Sequence, residues 1–322
     1  MTRNEIIEKL SLSEPASLAA LYAEAHAKKV STIGNKVYLR GLIEFSNICR
    51  KNCYYCGIRR ENQAVNHYEL SDEEVLAAVD FAWRNRYGSI VLQSGEQQSA
   101  HFTKRITGLL HQIKAHTNNE IGITLSCGEQ TAATYREWFN AGAHRYLLRI
   151  ETSNKELYEQ LHPNDDFHSF DARLVAIKQL RAEGYLVGTG VMIGLPFQTT
   201  EHLADDLLFF QSMNVDMVGM GPYIEHSQTP LYQHHLLLLP PEKRLDLSLK
   251  MVATLRLLMP DINIAATTAL QVLHPEGREM AVLAGANIIM PNMTLPEFRA
   301  DYLIYEHKPD IEDDAALTQL AA

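Results

Sequence analysis

Cysteine is scarce in this sequence, four among 322 residues, and three of the four fall within eight positions. That crowding suits metal ligation better than a disulfide framework, which would spread its cysteines across the fold. No long run of Lys or Arg is present and the formal net charge is −10. An electrostatic case for nucleic acid therefore has no footing, and a small molecule or a protein is the expected partner. No stretch approaches the roughly 18 to 20 apolar residues of a membrane span. The first thirty residues lack a continuous hydrophobic segment and carry Glu5, Glu8 and Glu14 among their apolar positions, which argues against a secretory signal and points to the cytoplasm. The 14 histidines form no H-x3-H ligand pair, and no internal repeat, low-complexity segment or linker is visible.

What is present suits a large core. Hydrophobic types make up 46% and charged types 21%, enough for one domain with a short extension. From about residue 37, β-rich runs alternate with amphipathic stretches, and eight runs can be placed: 37–45, 89–93, 121–125, 143–150, 185–193, 215–219, 262–265 and 286–290. Helices are predicted between them, among them 72–86, where Ser71-Asp-Glu-Glu reads as a capping box, and 202–213. Alternation of this kind predicts an α/β fold, a TIM-type (β/α)8 barrel over residues 37–308. Residues 1–36 are expected to form a helical extension with a helix starting near Pro15, acting as a lid or as packing. Residues 309–322 are expected to form an acidic, loosely held tail.

Directly after the first run comes Ser46-Asn-Ile-Cys49-Arg-Lys-Asn-Cys53-Tyr-Tyr-Cys56-Gly57. The three thiols, spaced C-x3-C-x2-C, fall in the first loop at the C-terminal mouth of the predicted barrel, where barrel active sites are built. Three thiolates can ligate three irons of a [4Fe–4S] cube and leave the fourth iron open to chemistry. The alternative is a structural zinc site, which needs a fourth ligand such as Cys127 or a histidine and more often pairs C-x2-C units. Cys127 itself reads as a small buried hydrophobe.

Other polar residues collect at the predicted mouth. Gln93, Ser94, Gly95 and Glu96 follow the second run, and a Gly-Glu turn alone is a weak signal. In the fourth run Arg145, Leu147, Arg149 and Glu151 share one face, while Tyr146, Leu148 and Ile150 share the other, which should pack under the helices. Two arginines and a glutamate then point into the barrel, where unpaired charge is costly. They are placed either for a ligand or for an internal salt-bridge network with Arg40 and Glu44 of the first run. Ser126 ends the third run, where it could reach a ribose or carboxylate or merely cap a helix. Arg173 lies in a predicted helix, where solvent exposure is the default. Thr267 and Thr268 follow the seventh run, Met290 ends the eighth, and Tyr302 and Tyr305 come shortly after; each is equally readable as structural.

The cysteine segment after the first strand, with Tyr55 just before the last thiol, resembles the signature of the radical S-adenosylmethionine (SAM) superfamily. Further blocks resemble the FeFe-hydrogenase maturases of the HydE type: Ile43-Glu-Phe-Ser-Asn-Ile-Cys, Val91-Leu-Gln-Ser-Gly-Glu, Arg145-Tyr-Leu-Leu-Arg-Ile-Glu-Thr, Gly194-Leu-Pro, Asp216-Met-Val-Gly-Met-Gly-Pro, Ala265-Ala-Thr-Thr-Ala and Gly285-Ala-Asn-Ile-Ile-Met-Pro-Asn. Biotin synthase and methylornithine synthase are similar in fold. The resemblance implies two cofactors, a [4Fe–4S] cluster held by Cys49, Cys53 and Cys56, and SAM. It places Tyr55, Gln93, Ser94, Gly95, Glu96, Ser126, Glu151 and Arg173 near SAM. It places Arg145, Arg149, Thr267, Thr268, Met290, Tyr302 and Tyr305 around an anion-holding substrate cavity.

The implied activity is reductive cleavage of SAM to a 5′-deoxyadenosyl radical that attacks the sulfur of a cysteine-bound iron carbonyl cyanide precursor during assembly of the hydrogenase two-iron site. A reductant protein and other maturation proteins are the implied partners. One departure stands out: many relatives carry further C-terminal cysteines for an auxiliary cluster, and this chain has none after Cys127, so sulfur donation of the biotin synthase kind lacks a source. The competing expectations are a radical amino-acid mutase or synthase, whose substrate carboxylate the Arg and Thr groups would hold, and a non-catalytic cluster scaffold.

Overall fold

Apolar runs of the kind seen at Ile90, Val91 and Leu92, all fully buried, suit parallel strands covered on both faces. In the computed structural model, which describes residues 1–308, the runs become β1 (Tyr38–Ser46), β2 (Ser89–Ser94), β3 (Gly122–Ser126), β4 (Arg145–Leu147), β5 (Leu186–Thr189), β6 (Met192–Ile193), β7 (Met217–Val218), β8 (Gly221–Pro222), β9 (Asn263–Ile264) and β10 (Ile288–Ile289). The predicted tail, 309–322, lies outside the described residues. Eight strands pair in parallel in the order β10-β1-β2-β3-β4-β5-β7-β9, and a parallel bridge from Ala265 to Ile288 closes the ring. The eight predicted runs thus supply the eight staves of a TIM-type barrel.

The run 185–193 is broken into β5 and β6, and the run 215–219 holds only β7, with β8 just beyond it. The backbones of Gly190 and Gly219 meet so closely that a Cβ on Gly190 would stand 1.9 Å from the Gly219 carbonyl oxygen. Beyond that crossing, β6 and β8 pair with each other in a separate small ladder. Gly190→Ala should therefore destabilise the barrel by about 2 to 3 kcal/mol through forced backbone displacement, read as a lower urea midpoint at unchanged slope.

The helices are α1 (Arg3–Leu10), α2 (Pro15–Ile33), α3 (Asp72–Arg84), α4 (Ala100–His116), α5 (Ala132–Asn140), α6 (Lys155–Leu161), α7 (Phe170–Ala182), α8 (Thr200–Ser212), α9 (Pro241–Leu258), α10 (Ala269–Leu273), α11 (Gly277–Leu283) and α12 (Pro296–Arg299). The capping box at α3 forms as expected: the Glu74 N–H donates to Ser71 Oγ at 3.2 Å and the Ser71 N–H to Glu74 Oε2 at 2.7 Å. Between sheet and helices lies an aromatic layer in which Tyr146 stacks on Trp138 and meets Tyr135 edge-on. That contact fixes Tyr146 on the outer face of the barrel wall.

The N-terminal helices pack against α8 and α9. Helix α2 starts at Pro15 and lies against α9. Its buried Lys29 donates to the carbonyls of Val282 and Ala286 at 2.9 and 3.3 Å, at the end of the barrel where β10 begins. No residue of α1 or α2 lines the main cavity. Among the described residues no helix is long and apolar enough to cross a membrane.

Helix α8 carries a buried carboxylate that ties down the loop after β4. Asp206 Oδ1 accepts from both the Ser153 N–H and the Ser153 hydroxyl at 2.6 Å. Burial, opposed by these hydrogen bonds, pushes the Asp206 carboxyl up to about 7. A carboxyl raised in the folded state favours folding below its ordinary value near 4 and surrenders that advantage as pH climbs through the folded value. Wild-type melting temperature should thus decline between pH 5 and pH 8, whereas Asp206→Asn should melt a few degrees above wild type at pH 8. Parallel pH profiles for the two proteins would contradict this.

Candidate active site

Strand β1 delivers the chain into the cysteine loop, and Asn47 anchors the turn. Its amide donates to the carbonyls of Asn66 and Asp301 at 2.7 and 2.8 Å and accepts from the Tyr68 N–H at 2.9 Å. The loop is then held through its backbone: Asn52 N–H donates to His168 Nε2, Tyr54 N–H to the Leu161 carbonyl and Gly57 N–H to the Ile304 carbonyl, at 2.9 to 3.0 Å. Gly95 must lack a side chain, because a Cβ there would stand 2.4 Å from the Ile48 carbonyl oxygen and 2.8 Å from Cys49 Cβ. That approach lets the Glu96 N–H donate to Cys49 Sγ at 3.3 Å. Cys49, Cys53 and Cys56, all unpaired thiols, face a cavity of about 640 Å³.

Four charged groups cluster beside the thiols. Lys51 Nζ lies 3.1 Å from Glu129 Oε2 and 3.5 Å from Glu96 Oε1, and also donates to the Phe167 carbonyl. Arg173, brought in by α7, pairs with Glu129 Oε1 and donates to the Arg149 carbonyl. The Glu129 N–H donates to Glu96 Oε2 at 2.8 Å, while Glu96 Oε1 is buried without a hydrogen bond. Burial raises the Glu96 carboxyl, with Lys51 opposing. Burial works against Glu129 as well, but Arg173 and Lys51 outweigh it and hold that carboxyl below its ordinary value.

At the end of β4, Arg149 Nε donates to both Glu151 oxygens at 3.0 Å, and its other nitrogens donate to the carbonyls of Gly219 and Val191. Glu151 has φ +67°, a left-handed conformation that a non-glycine residue holds only when its surroundings insist. The ladder of β4 ends at Leu147, and strict alternation ends with it. Leu148, expected on the outer face, lines the cavity together with Leu147.

Arg145 requires a correction. It does not line the cavity of the thiols but a cleft of about 30 Å³ with Arg40, Thr124, Asp216, Met217 and Asn263. It begins β4 and stands four residues before Arg149, roughly 13 Å along a strand. The two arginines share a face yet sit at opposite ends of the barrel. The network imagined among Arg40, Glu44 and the fourth strand is not formed either. Arg40 lies beside Arg145, and burial followed by that like charge lowers it to about 10. Glu44 takes Lys308 Nζ at 2.6 Å on both oxygens and the Asn292 amide at 3.0 Å.

Tyr55, Gln93, Ser94, Gly95, Glu96, Ser126, Arg149, Glu151, Arg173, Thr267, Thr268, Met290, Tyr302 and Tyr305 all line the same cavity as the cysteines. Gln93 donates to the Tyr302 hydroxyl at 3.2 Å. Residues 302–308 cross the mouth: Leu303 and Ile304 abut Gly57, Glu306 accepts from Ser227, and Lys308 reaches Glu44.

A model of the radical SAM superfamily matches residues 43–210. The chain belongs to that superfamily. It is 42% identical over 309 residues to the FeFe hydrogenase maturase subunit HydE of Thermotoga maritima, covering 95% of this chain and 84% of that protein. It is 29% identical over 300 residues to a 3-methylornithine synthase of Methanosarcina acetivorans, covering 91% and 81%. The crystal structure of a methylornithine synthase superposes with a TM-score of 0.84 at 25% identity, covering 99% of this chain and 92% of the other. This radical SAM enzyme accordingly uses a [4Fe–4S] cluster and SAM.

The residues present fit both groups. Burial raises all three thiols of the radical SAM motif, Cys53 to about 12, so it is a metal that would draw out their protons. Among the described residues no three His, Cys, Asp or Glu side chains converge on one point, as a tetrahedral zinc with bonds of about 2.3 Å to sulfur would need. The three thiols all line one chamber. The buried, hydrogen-bond-free Glu96 Oε1 is an acceptor suited to an ammonium.

Reading the sequence alone passed over Lys51, Glu129 and Lys308. Lys51 stands inside the motif, and Glu129 follows β3 much as Glu96 follows β2, so position in a βα loop was a usable signal for both. Lys308 gave none, since it lies past the last strand.

Proposed function

We propose that this radical SAM enzyme is a maturase of the FeFe hydrogenase, acting on an organometallic precursor, a cysteine-bound iron carbonyl cyanide species. The observation that carries this reading is 42% identity to the HydE of Thermotoga maritima across 95% of the chain. Cys49, Cys53 and Cys56 would hold the cluster. Glu96 would receive the SAM amino group, with Tyr55, Gln93, Ser94, Gly95, Ser126, Glu151 and Arg173 around the rest of the molecule. When bound, cluster and SAM supply reductive cleavage to methionine and a 5′-deoxyadenosyl radical.

The chain itself binds, orients and excludes. Arg149, paired with Glu151, presents a guanidinium held in place at the substrate end, where Thr267, Thr268, Met290, Tyr302 and Tyr305 would shape the pocket. Residues 302–308 keep bulk water from the chamber. A reductant protein would deliver the electron, other maturation proteins would meet the enzyme transiently, and the cytoplasm is the proposed location.

Likeness in sequence and fold to methylornithine synthases favours a second reading, a radical synthase or mutase of amino acids. The reconstituted enzyme, reduced under nitrogen with SAM, should consume SAM faster in the presence of a synthetic cysteine-bound iron carbonyl cyanide complex and not in the presence of free amino acids. The opposite dependence would install the second reading in its place.

A further inference from the structure

Three charged residues of the cavity wall share a partner that is not itself in the wall. Lys51, Glu96 and Arg173 line the cavity and Glu129 does not. Lys51 comes from the cysteine loop, Glu96 from the loop after β2 and Arg173 from α7, and Glu129, in the loop after β3, touches all of them. The relative exposures of Lys51, Glu96 and Arg173 are 3%, 5% and 7%, so each charge has given up most of its water and depends on its neighbours. Two cations and two carboxylates sum to zero. Within that balance the hydrogen bonds are unequally shared. Both cations bond Glu129, whereas Glu96 Oε1 is left without a hydrogen bond, with Lys51 at 3.5 Å and Arg50 at 3.9 Å. The carboxylate outside the wall occupies the cations, and the one inside it stays open.

We propose that Glu129 is a positioning residue for SAM. By holding Lys51 and Arg173 it keeps them from closing onto Glu96, and so preserves a free carboxylate oxygen for the ammonium of the ligand. Without its charge, the nearest anion for the two buried cations is Glu96, and the ammonium would have to compete with them. The inference rests on the reading that Glu96 receives SAM, and the test separates the two.

Holoenzyme reconstituted under nitrogen is compared as wild type, Glu129→Gln, Glu96→Gln and the double variant, each checked for iron and sulfide. The SAM dissociation constant is measured by equilibrium dialysis, alongside the change SAM makes to the electron paramagnetic resonance spectrum of the reduced cluster. Glu129→Gln should keep its iron and bind SAM on the order of tenfold more weakly. Adding it to Glu96→Gln should change little further, because the acceptor it protects is already lost. Wild-type affinity in Glu129→Gln, with weakened binding in Glu96→Gln, would overturn the positioning role alone. Wild-type affinity in Glu96→Gln would overturn the reading beneath it as well. Should Glu129→Gln fail to load iron, Lys51→Met combined with Glu129→Gln restores the zero sum of buried charge and is measured instead. Arg173 still lacks its partner in that variant, so affinity on the order of tenfold poorer than in Lys51→Met alone supports the role, and affinity equal to that of Lys51→Met overturns it.

Discussion

Cys53→Ala is expected to give a folded barrel that neither holds four irons nor releases 5′-deoxyadenosine from SAM. The fold should survive because the loop is pinned through the backbone at Asn52, Tyr54 and Gly57, none of which involves the Cys53 sulfur. The cluster should not, because a buried alanine leaves a cube with only two protein ligands. Iron and sulfide analysis after reconstitution, SAM turnover and melting of the metal-free protein are the three measurements. A variant that melts like wild type yet loads four irons and turns over would remove Cys53 from the ligand set.

Glu151→Ala should lower kcat/KM for SAM cleavage on the order of 100-fold with a modest loss of stability. Arg149 would lose the carboxylate to which its Nε donates twice and would be held only by the carbonyls of Gly219 and Val191, its charge uncompensated. The Arg149 side chain is 31% exposed towards the cavity, so the stability cost falls short of that for a fully buried pair, about 1 to 2 kcal/mol. The left-handed backbone at Glu151 gives an internal control. Glycine tolerates that conformation and alanine does not, so Glu151→Gly should melt above Glu151→Ala while being equally poor in turnover. Equal melting of the two would place the backbone, and not the side chain, outside the account.

The barrel was legible because β-rich runs alternate with amphipathic stretches, and eight such units with helical spacers have few other solutions. The thiols were legible because their spacing is local. What alternation cannot supply is height along the barrel axis. Arg145 and Arg149 belong to one face by the period of two, and only the closed ring shows that one stands at the floor and the other at the mouth. The interruptions at Gly190 and Gly219 depend on two backbones nearly touching across the sheet, which neither segment announces by itself. Arg173 looked like a surface residue of a helix because its partner, Glu129, comes from a different βα unit. Glu44 and Lys308 are 264 positions apart, beyond the reach of any pattern.

Residues 302–308 follow the last stave in the chain and are tied at two places, to the cysteine loop where Gly57 meets Ile304 and to the first stave where Lys308 meets Glu44. The same short segment therefore borders the chamber from the sulfurs to the first stave, and loosening either tie would widen the way in for inorganic parts and for SAM alike.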